Sequence, residues 1–397
     1  MQYKKPNLIV YRLAQFLSWV LAWAVFRRRV LRNEIRDAKG PFVVIANHQC
    51  KLDFVNLIGL CPRPMTFVIS KSFYSTLPIG PLLDKMGVIP KQQFQTTVKD
   101  MKRMKAVINN GAPLVLYPAG LMCEDGLSTP IPRATYKFLK WLDADVYVAR
   151  TSGAYFAMPK WSARIRPGRT NMDVNKLFTR EELASLSEED IRRKTDEALL
   201  FDAYREQEQL RECYDDDVQG LENVLYVCPH CRKEFTIGVR NRNTLVCGHC
   251  GYEQVSDRMG FLRNCGTVGP EIRYVSDWSR LTYGQVQQEL REEPMLQLCA
   301  GVQIQMVDPK RHKFCPVGRG ELTLCDGEFR FRGEIQGEPT ELTLPVSHIP
   351  ILPFAPGQYL EIQNGDTIYR CVPDEGRLVM KFINMVKCFY EMRTCSA

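Results

Sequence analysis

Residues 46–53 read ANHQCKLD and set an imidazole five positions ahead of a carboxylate. A neutral imidazole can take a proton from an alcohol, while a carboxylate on its other nitrogen fixes the tautomer and stabilises the imidazolium. In that chemistry His48 is the base and Asp53 its orienter. The spacing alone is weak evidence, as for any short motif. A second constellation is more specific: Cys228-x₂-Cys231 and Cys247-x₂-Cys250, separated by fifteen residues. Two such pairs form a tetrahedral thiolate site, a ribbon of two knuckles joined by a hairpin, for which zinc is expected and iron or a redox dithiol are the other readings. Four thiolates close the shell, so the expected role is structural, with His230 and His249 as bystanders.

The elements that must position these groups are legible around them. PFVVIA, just before Asn47, is an apolar run of the kind found in buried parallel strands, and LDFVNLIGL after it reads as a helix. The His-Asp pair thus falls where a strand ends and a helix begins, the edge at which open α/β sheets build ligand sites. Three further blocks follow. Residues 71–93 carry Lys71 and Lys91 around Pro and Gly turns. Residues 112–126 are a second buried strand ending in Pro118-Ala119-Gly120. Residues 143–161 are a third strand followed by a loop with Arg150 and Lys160. Helical stretches such as TTVKDMKRMKAVINNG between them indicate βαβ units.

In this order the blocks resemble the glycerolipid acyltransferase family, the 1-acyl-glycerol-3-phosphate acyltransferases and their bacterial relatives. NHQCKLD matches that family's Asn-His-x₄-Asp block, and SKSFYSTLPIGPLLDKMGVIPKQQ matches its second. LYPAGLMCEDG stands in the place of its Phe-Pro-Glu-Gly-Thr-Arg block, and the strand at 146–149 in the place of the fourth. The resemblance implies that His48 deprotonates an acceptor hydroxyl and Asp53 orients it. The alkoxide then attacks an acyl thioester on coenzyme A or acyl carrier protein, with no metal in the reaction. Substrate contacts are expected from Asn47, Lys71, Lys91, Pro118, Gly120, Glu124, Arg133 and Lys160. The third block departs from the family: Ala119 replaces Glu, and Leu121 and Met122 replace Thr-Arg. In the family those residues hold glycerol phosphate, so lysophosphatidate is expected to be a poor acceptor. Glu124, Asp125 and Arg133 would form a different polar rim. The contrasting reading, from another functional class, is a non-catalytic lipid-binding or scaffold protein that keeps the acyltransferase fold.

At 397 residues the chain is too long for one ordinary core. Its fifteen cysteines and the lack of a leader-type apolar segment point to a reducing, cytosolic setting. Residues 1–37 hold eight Lys or Arg against Glu34 and Asp37, a net of 8 − 2 = +6. Within them, LIVYRLAQFLSWVLAWAVF precedes RRRVLR. Arg12, Gln15 and Ser18 recur every third position as a polar stripe, and Trp19, Trp23 and the Arg cluster suit a headgroup region. We expect an amphipathic helix at the cytoplasmic face of the membrane; a single span or a helix packed on its own domain are the other readings. Membrane lipids, and acyl carrier protein as a donor, are the expected partners. Nucleic acid is not, because the ribbon lacks a basic helix or an aromatic stacking set.

The expected fold class is α/β, organised as five segments. These are a membrane-associating helix (1–37), an acyltransferase domain with closing helices (38–220), the zinc ribbon (221–256), a helical connector (257–300) and a β-rich domain (301–397). Residues 177–212 read as helices, with Thr179 and Ser187 as starts. The last segment alternates at period two through GVQIQMVD, RGELTLCD, EFRFRG, TELTLPV, QYLEIQNG and TIYRCVP, then ends in one amphipathic helix. About seven strands and a terminal helix resemble the pleckstrin-homology-like superfold, which hosts many functions.

Overall fold

The computed structural model describes residues 3–76, 79–93, 97–346 and 349–395, so residues 77 and 78 of the second sequence block lie outside it. The chain forms two compact units: Met1–Pro159 with Arg164–Tyr214, and Lys160–Ala163 with Asp215–Ala397.

The first unit is a seven-stranded sheet between helices. Its strands are β1 (Arg29–Asn33), β2 (Phe42–Ala46), β3 (Thr66–Ser70), β4 (Ile89–Lys91), β5 (Leu114–Leu116), β6 (Asp145–Ser152) and β7 (Asn171–Phe178), in the order β1-β7-β6-β2-β5-β3-β4. β2 lies parallel to both β5 and β6, β3 parallel to β5 and β4, and only β7 runs against β6. All five residues of β2 are buried. Successive side chains of a strand point to opposite faces. Phe42, Val44 and Ala46 accordingly enter one apolar core, and Val43 and Ile45 the other.

The first core is covered by α1 (Leu8–Ala24), α2 (Asp53–Ile58) and α4 (Gly80–Lys85), while α3 (Lys71–Thr76) lies against β3 and β4. Its helical members include Tyr11, Leu57, Ile58 and the partly buried Leu83. The second is covered by α5 (Val98–Asn109), α6 (Ala134–Leu142), α8 (Arg180–Ser185) and α9 (Glu188–Leu199), through residues such as Val107, Leu139, Leu183 and Ile191. Between β6 and β7 lies the short α7 (Ala154–Ala157), and α10 (Ala203–Leu210) completes the unit. Local chemistry starts several of these helices. Thr97 with Asp100 and Thr179 with Glu182 form reciprocal capping boxes, and Ser187 caps α9.

Two findings depart from the sequence reading. The Arg cluster after α1 is part of the sheet: β1 pairs in parallel with β7, and neither strand is evident in the sequence. Arg28 is turned inward to donate to the Asn56 carbonyl at 2.7 Å, and Arg32 donates to Asp173 at 2.8 Å, so these two cations are already engaged. Two members of the polar stripe of α1, Gln15 and Ser18, also face the protein, while Arg12 stays exposed. Gln15 donates to the carbonyls of Ile58 and Cys61, both at 3.0 Å, and Tyr11, Ser18 and Ala22 are buried. Leu8, Ile9, Leu13, Phe16, Leu17, Trp19 and Trp23 are exposed instead. The unsatisfied carbonyls at the end of α2 need donors, and Gln15 supplies them. Among the described residues no helix is long and apolar enough to cross a membrane.

The second unit begins with a four-stranded antiparallel sheet of β8 (Ile237–Arg240), β9 (Thr244–Cys247), β10 (Glu253–Ser256) and β11 (Leu262–Asn264). Helix α11 (Val275–Glu292) follows and buries Trp278, whose indole N–H donates to the Val227 carbonyl at 2.7 Å. A seven-stranded sheet then carries β12 (Leu298–Asp308), β13 (Lys313–Cys325), β14 (Glu328–Ile335), β15 (Glu338–Pro345), β16 (Phe354–Ala355), β17 (Tyr359–Asn364) and β18 (Thr367–Pro373). Its order is β15-β14-β13-β12-β18-β17-β16, all antiparallel, and α12 (Leu378–Cys395) ends the chain. Lys381 of α12 pairs with Glu234 at 2.6 Å and with Glu289 of α11 at 3.2 Å. The ribbon, connector and β-rich segment all fall within this one compact unit.

Candidate functional site

His48 and Asp53 meet. The imidazole Nδ1 lies 2.8 Å from Asp53 Oδ2, with the ring 21% exposed and the carboxylate 1% exposed. Position explains the contact. β2 ends at Ala46, and the chain turns through six residues, His48 among them, before Asp53 opens α2, where a helix start favours negative charge. The same Oδ2 accepts the backbone N–H groups of Gln49 at 2.7 Å and Cys50 at 3.0 Å. Oδ1 accepts the Cys50 thiol at 3.2 Å. A buried carboxylate with this many donors is held in one orientation. It occupies Nδ1 of the imidazole and leaves Nε2 as the working nitrogen.

The other blocks converge on this pair at the carboxyl ends of the strands. Asn47 spans to β6: its Nδ2 donates to the Thr151 carbonyl and its Oδ1 accepts the Thr151 N–H, both at 2.8 Å. The Tyr117 ring, just past β5, lies 4.6 Å from the His48 ring. The Cys123 N–H donates to the His48 carbonyl at 3.2 Å. Gln93 joins the second block to the third, accepting from Ser70 at 3.1 Å and donating to the Gly120 carbonyl at 2.6 Å. Gly120 has φ +72°, a conformation that favours glycine in the Pro118-Ala119-Gly120 turn.

The expected substrate residues do not all gather here. Lys91 ends β4, and burial pushes its ammonium below the ordinary lysine value, partly countered by Asp100. Lys71 begins α3 at the end of β3, half-buried, and Pro118 is likewise half-buried. Glu124 and Asp125 are buried, so they do not form an open rim. Arg133 is exposed and lines a separate pocket with Tyr136, Glu188, Glu189 and Arg192. Lys160 belongs to the second unit, where it is buried with its ammonium 3.2 Å from the centre of the Phe354 ring, a cation–π contact. Arg150 pairs with Glu206 of α10 at 2.5 Å. Sequence reasoning missed Gln49, Cys50 and Tyr117. Gln49 accepts the Tyr155 N–H at 3.1 Å, and only its place inside the motif hinted at a role.

In the second unit, Cys228, Cys231, Cys247 and Cys250 have their sulfurs within 4.8 Å of one another. Cys228 and Cys250 are 3.7 Å apart, and Cys231 and Cys247 3.8 Å. A tetrahedron with metal–sulfur bonds of about 2.3 Å has edges of about 3.8 Å, so the quartet fits zinc. Thr236 Oγ1 lies 3.2 Å from Cys247 Sγ.

Residues 27–158 match the Acyltransferase family model. A chloroplastic 1-acyl-sn-glycerol-3-phosphate acyltransferase of Brassica napus is 24% identical over 135 residues, which is 34% of this chain and 39% of the relative. The chain thus spans about two fifths of the length of that curated relative. The 1-acyl-sn-glycerophosphate acyltransferase PlsC of Thermotoga maritima aligns at 15% identity, covering 47% of this chain and 76% of PlsC, with a TM-score of 0.41. The Ran-binding domain of Nup2 from Ashbya gossypii aligns with 23% of this chain and 94% of its own length, at 16% identity and a TM-score of 0.19. The acyltransferase match contains the whole His48–Asp53 motif, the second block and the third.

Proposed function

We propose that this protein is a membrane-peripheral O-acyltransferase that moves a fatty acyl group from acyl-CoA or acyl carrier protein to the hydroxyl of a lysophospholipid-like acceptor. The observation that carries the reading is the 2.8 Å contact between His48 Nδ1 and the buried Asp53, with the ring partly open to solvent. His48 Nε2 takes the acceptor hydroxyl proton as the oxygen forms its bond to the thioester carbonyl carbon. The carbon–sulfur bond then breaks, and the imidazolium returns its proton to the leaving thiolate. Asp53 stabilises the imidazolium between these two events. Asn47 ties the motif to β6, and the turn at Gly120 lies beside Gln93, where the acceptor's polar end would enter. The match to the acyltransferase family and the glycerophosphate acyltransferase relative supports a glycerolipid acceptor.

The apolar side of α1 supports attachment to a bilayer. Nine large hydrophobic residues of that helix are exposed, among them Trp23 at 72%. Such a surface suits the acyl–headgroup boundary, with Trp at the interface. The cysteine-rich composition suits the cytoplasmic face. The thiolate quartet would hold structural zinc, whose contribution is to fold the surrounding ribbon. The second unit, with seven antiparallel strands and a terminal helix, suits a pleckstrin-homology-like domain that contacts lipids or a protein partner.

The test is coenzyme A release from a long-chain acyl-CoA with a panel of lysolipids, wild type against His48→Ala. Turnover should fall at least about 10²-fold in the variant, the scale of a positioned proton acceptor. No turnover by wild type with either thioester carrier, while it still binds vesicles, would replace this reading with that of a non-catalytic lipid-binding protein.

A further inference from the structure

We infer that Cys50 is a positioning residue for the acyl-transfer pair, its thiol holding the second oxygen of the Asp53 carboxylate; this rests on the acyltransferase reading above. The three stronger donors to Asp53, from His48 Nδ1, Gln49 N and Cys50 N, all converge on Oδ2 at 2.7–3.0 Å. For Oδ1, the Cys50 sulfur at 3.2 Å is the one donor found among the described residues. Cys50 is fully buried and Asp53 is 2% exposed, so bulk water does not replace the thiol. A carboxylate gripped at one oxygen can still swing about its Cβ–Cγ bond. A donor on the other oxygen stops that rotation and keeps Oδ2 in line with the imidazole.

The thiol must stay protonated to donate, and its surroundings keep it so. Burial pushes the Cys50 thiol well above its ordinary value, and the neighbouring Asp53 charge pushes in the same direction. Other groups reach the pair from the segment after β5. Tyr117 and Cys123 both sense the Asp53 charge, and burial raises both, so both remain neutral. Glu124 and Asp125 lie beyond Cys123 and act on it in the same sense. None of these supplies a positive charge to Asp53, which makes the donors on its two oxygens decisive.

The consequence is measurable in the full-length protein with Cys50→Ala and Cys50→Ser. A serine hydroxyl is a stronger donor than a thiol and of similar size, so Cys50→Ser should stay within about threefold of wild type. Cys50→Ala leaves Oδ1 without a donor, which should lower kcat/KM about 10-fold at neutral pH. Losing a donor to the charged form also favours protonation, so the acid limb of the Cys50→Ala pH–rate profile should move up by about 0.5–1 unit. A readout independent of turnover is the ¹⁵N-detected tautomer of His48 across the same pH range. Wild type and Cys50→Ser should hold the Nδ1–H form to lower pH than Cys50→Ala. An unchanged profile and tautomer in folded Cys50→Ala would overturn the assignment, as would an equal loss in Ala and Ser with no movement of the acid limb. If wild type turns over no thioester, the acyltransferase reading fails by itself, and the tautomer measurement still decides the role of Cys50.

Discussion

Asp53→Asn isolates what the carboxylate charge contributes, because the local hydrogen bonds dictate how the amide must sit. Two backbone N–H groups, from Gln49 and Cys50, point at the Oδ2 position at 2.7 and 3.0 Å. An amide NH₂ there would face two donors, so the asparagine carbonyl must take that place and the NH₂ must turn toward the Cys50 sulfur. In this orientation the carbonyl still accepts from His48 Nδ1, and the tautomer is kept. Only the charge is lost. An imidazolium and a carboxylate about 4 Å apart between charge centres interact by about 4 kcal/mol at an effective dielectric constant near 20. The asparagine carbonyl dipole recovers part of this, which leaves a loss of about 3–4 kcal/mol and a fall of about 10²–10³-fold in kcat/KM. The assay is thioester turnover at saturating and limiting acceptor, with circular dichroism and a melting curve to establish that the variant folds. The fall should lie in kcat, because the imidazolium exists only along the reaction and not in the resting complex. An Asp53→Asn protein that folds normally and works within threefold of wild type would refute the use of this charge, and with it the proposed base.

Four further outcomes are expected. Asn47→Ala should lower stability by roughly 2–4 kcal/mol and impair turnover as well, since both Thr151 backbone groups lose their partner; urea denaturation alongside the activity assay checks this. Purified, reduced protein should carry one zinc per chain by elemental analysis, and chelation should raise hydrogen exchange in residues 224–256 without abolishing thioester turnover at once. Replacing exposed Trp19 and Trp23 together by Glu should weaken sedimentation with anionic vesicles at least about 10-fold, given that burying each large side chain contributes about 1.5–3 kcal/mol. Gly220→Ala should destabilise the second unit by more than about 2 kcal/mol, because φ is +99° there and a Cβ would lie 2.1 Å from the Trp161 carbonyl oxygen; the midpoint of thermal unfolding reports it.

What the sequence determined by itself was whatever depends on neighbours a few residues away. The run PFVVIA specifies a buried strand because both of its faces are apolar, and the Asp53 carboxylate reaches His48 because only five positions separate them in the turn from β2 into α2. Helix starts at Thr179 and Ser187 were readable for the same reason: each cap bonds a backbone group three positions on. The cysteine quartet was readable because two knuckles and one hairpin define it.

Tertiary structure decided everything that depends on distant partners. β1 and β7 pair residues more than a hundred positions apart, and neither NMDVNKLF nor RRRVLR has the apolar run of a central strand, since both lie toward the polar edge of the sheet. The direction in which α1 faces was undecided by its periodicity. Gln15 and Ser18 turned inward because the carbonyls of Ile58 and Cys61 offered Gln15 partners there, leaving much of the helix's apolar side outward. Lys160 follows β6 and α7 of the first unit in sequence yet belongs to the other unit, held against Phe354. Tyr117 and Gln93 entered the site because parallel strands bring their carboxyl ends to one edge. A residue's type and spacing specify what it can bond, whereas the long-range packing of the sheet specifies which partner is within reach.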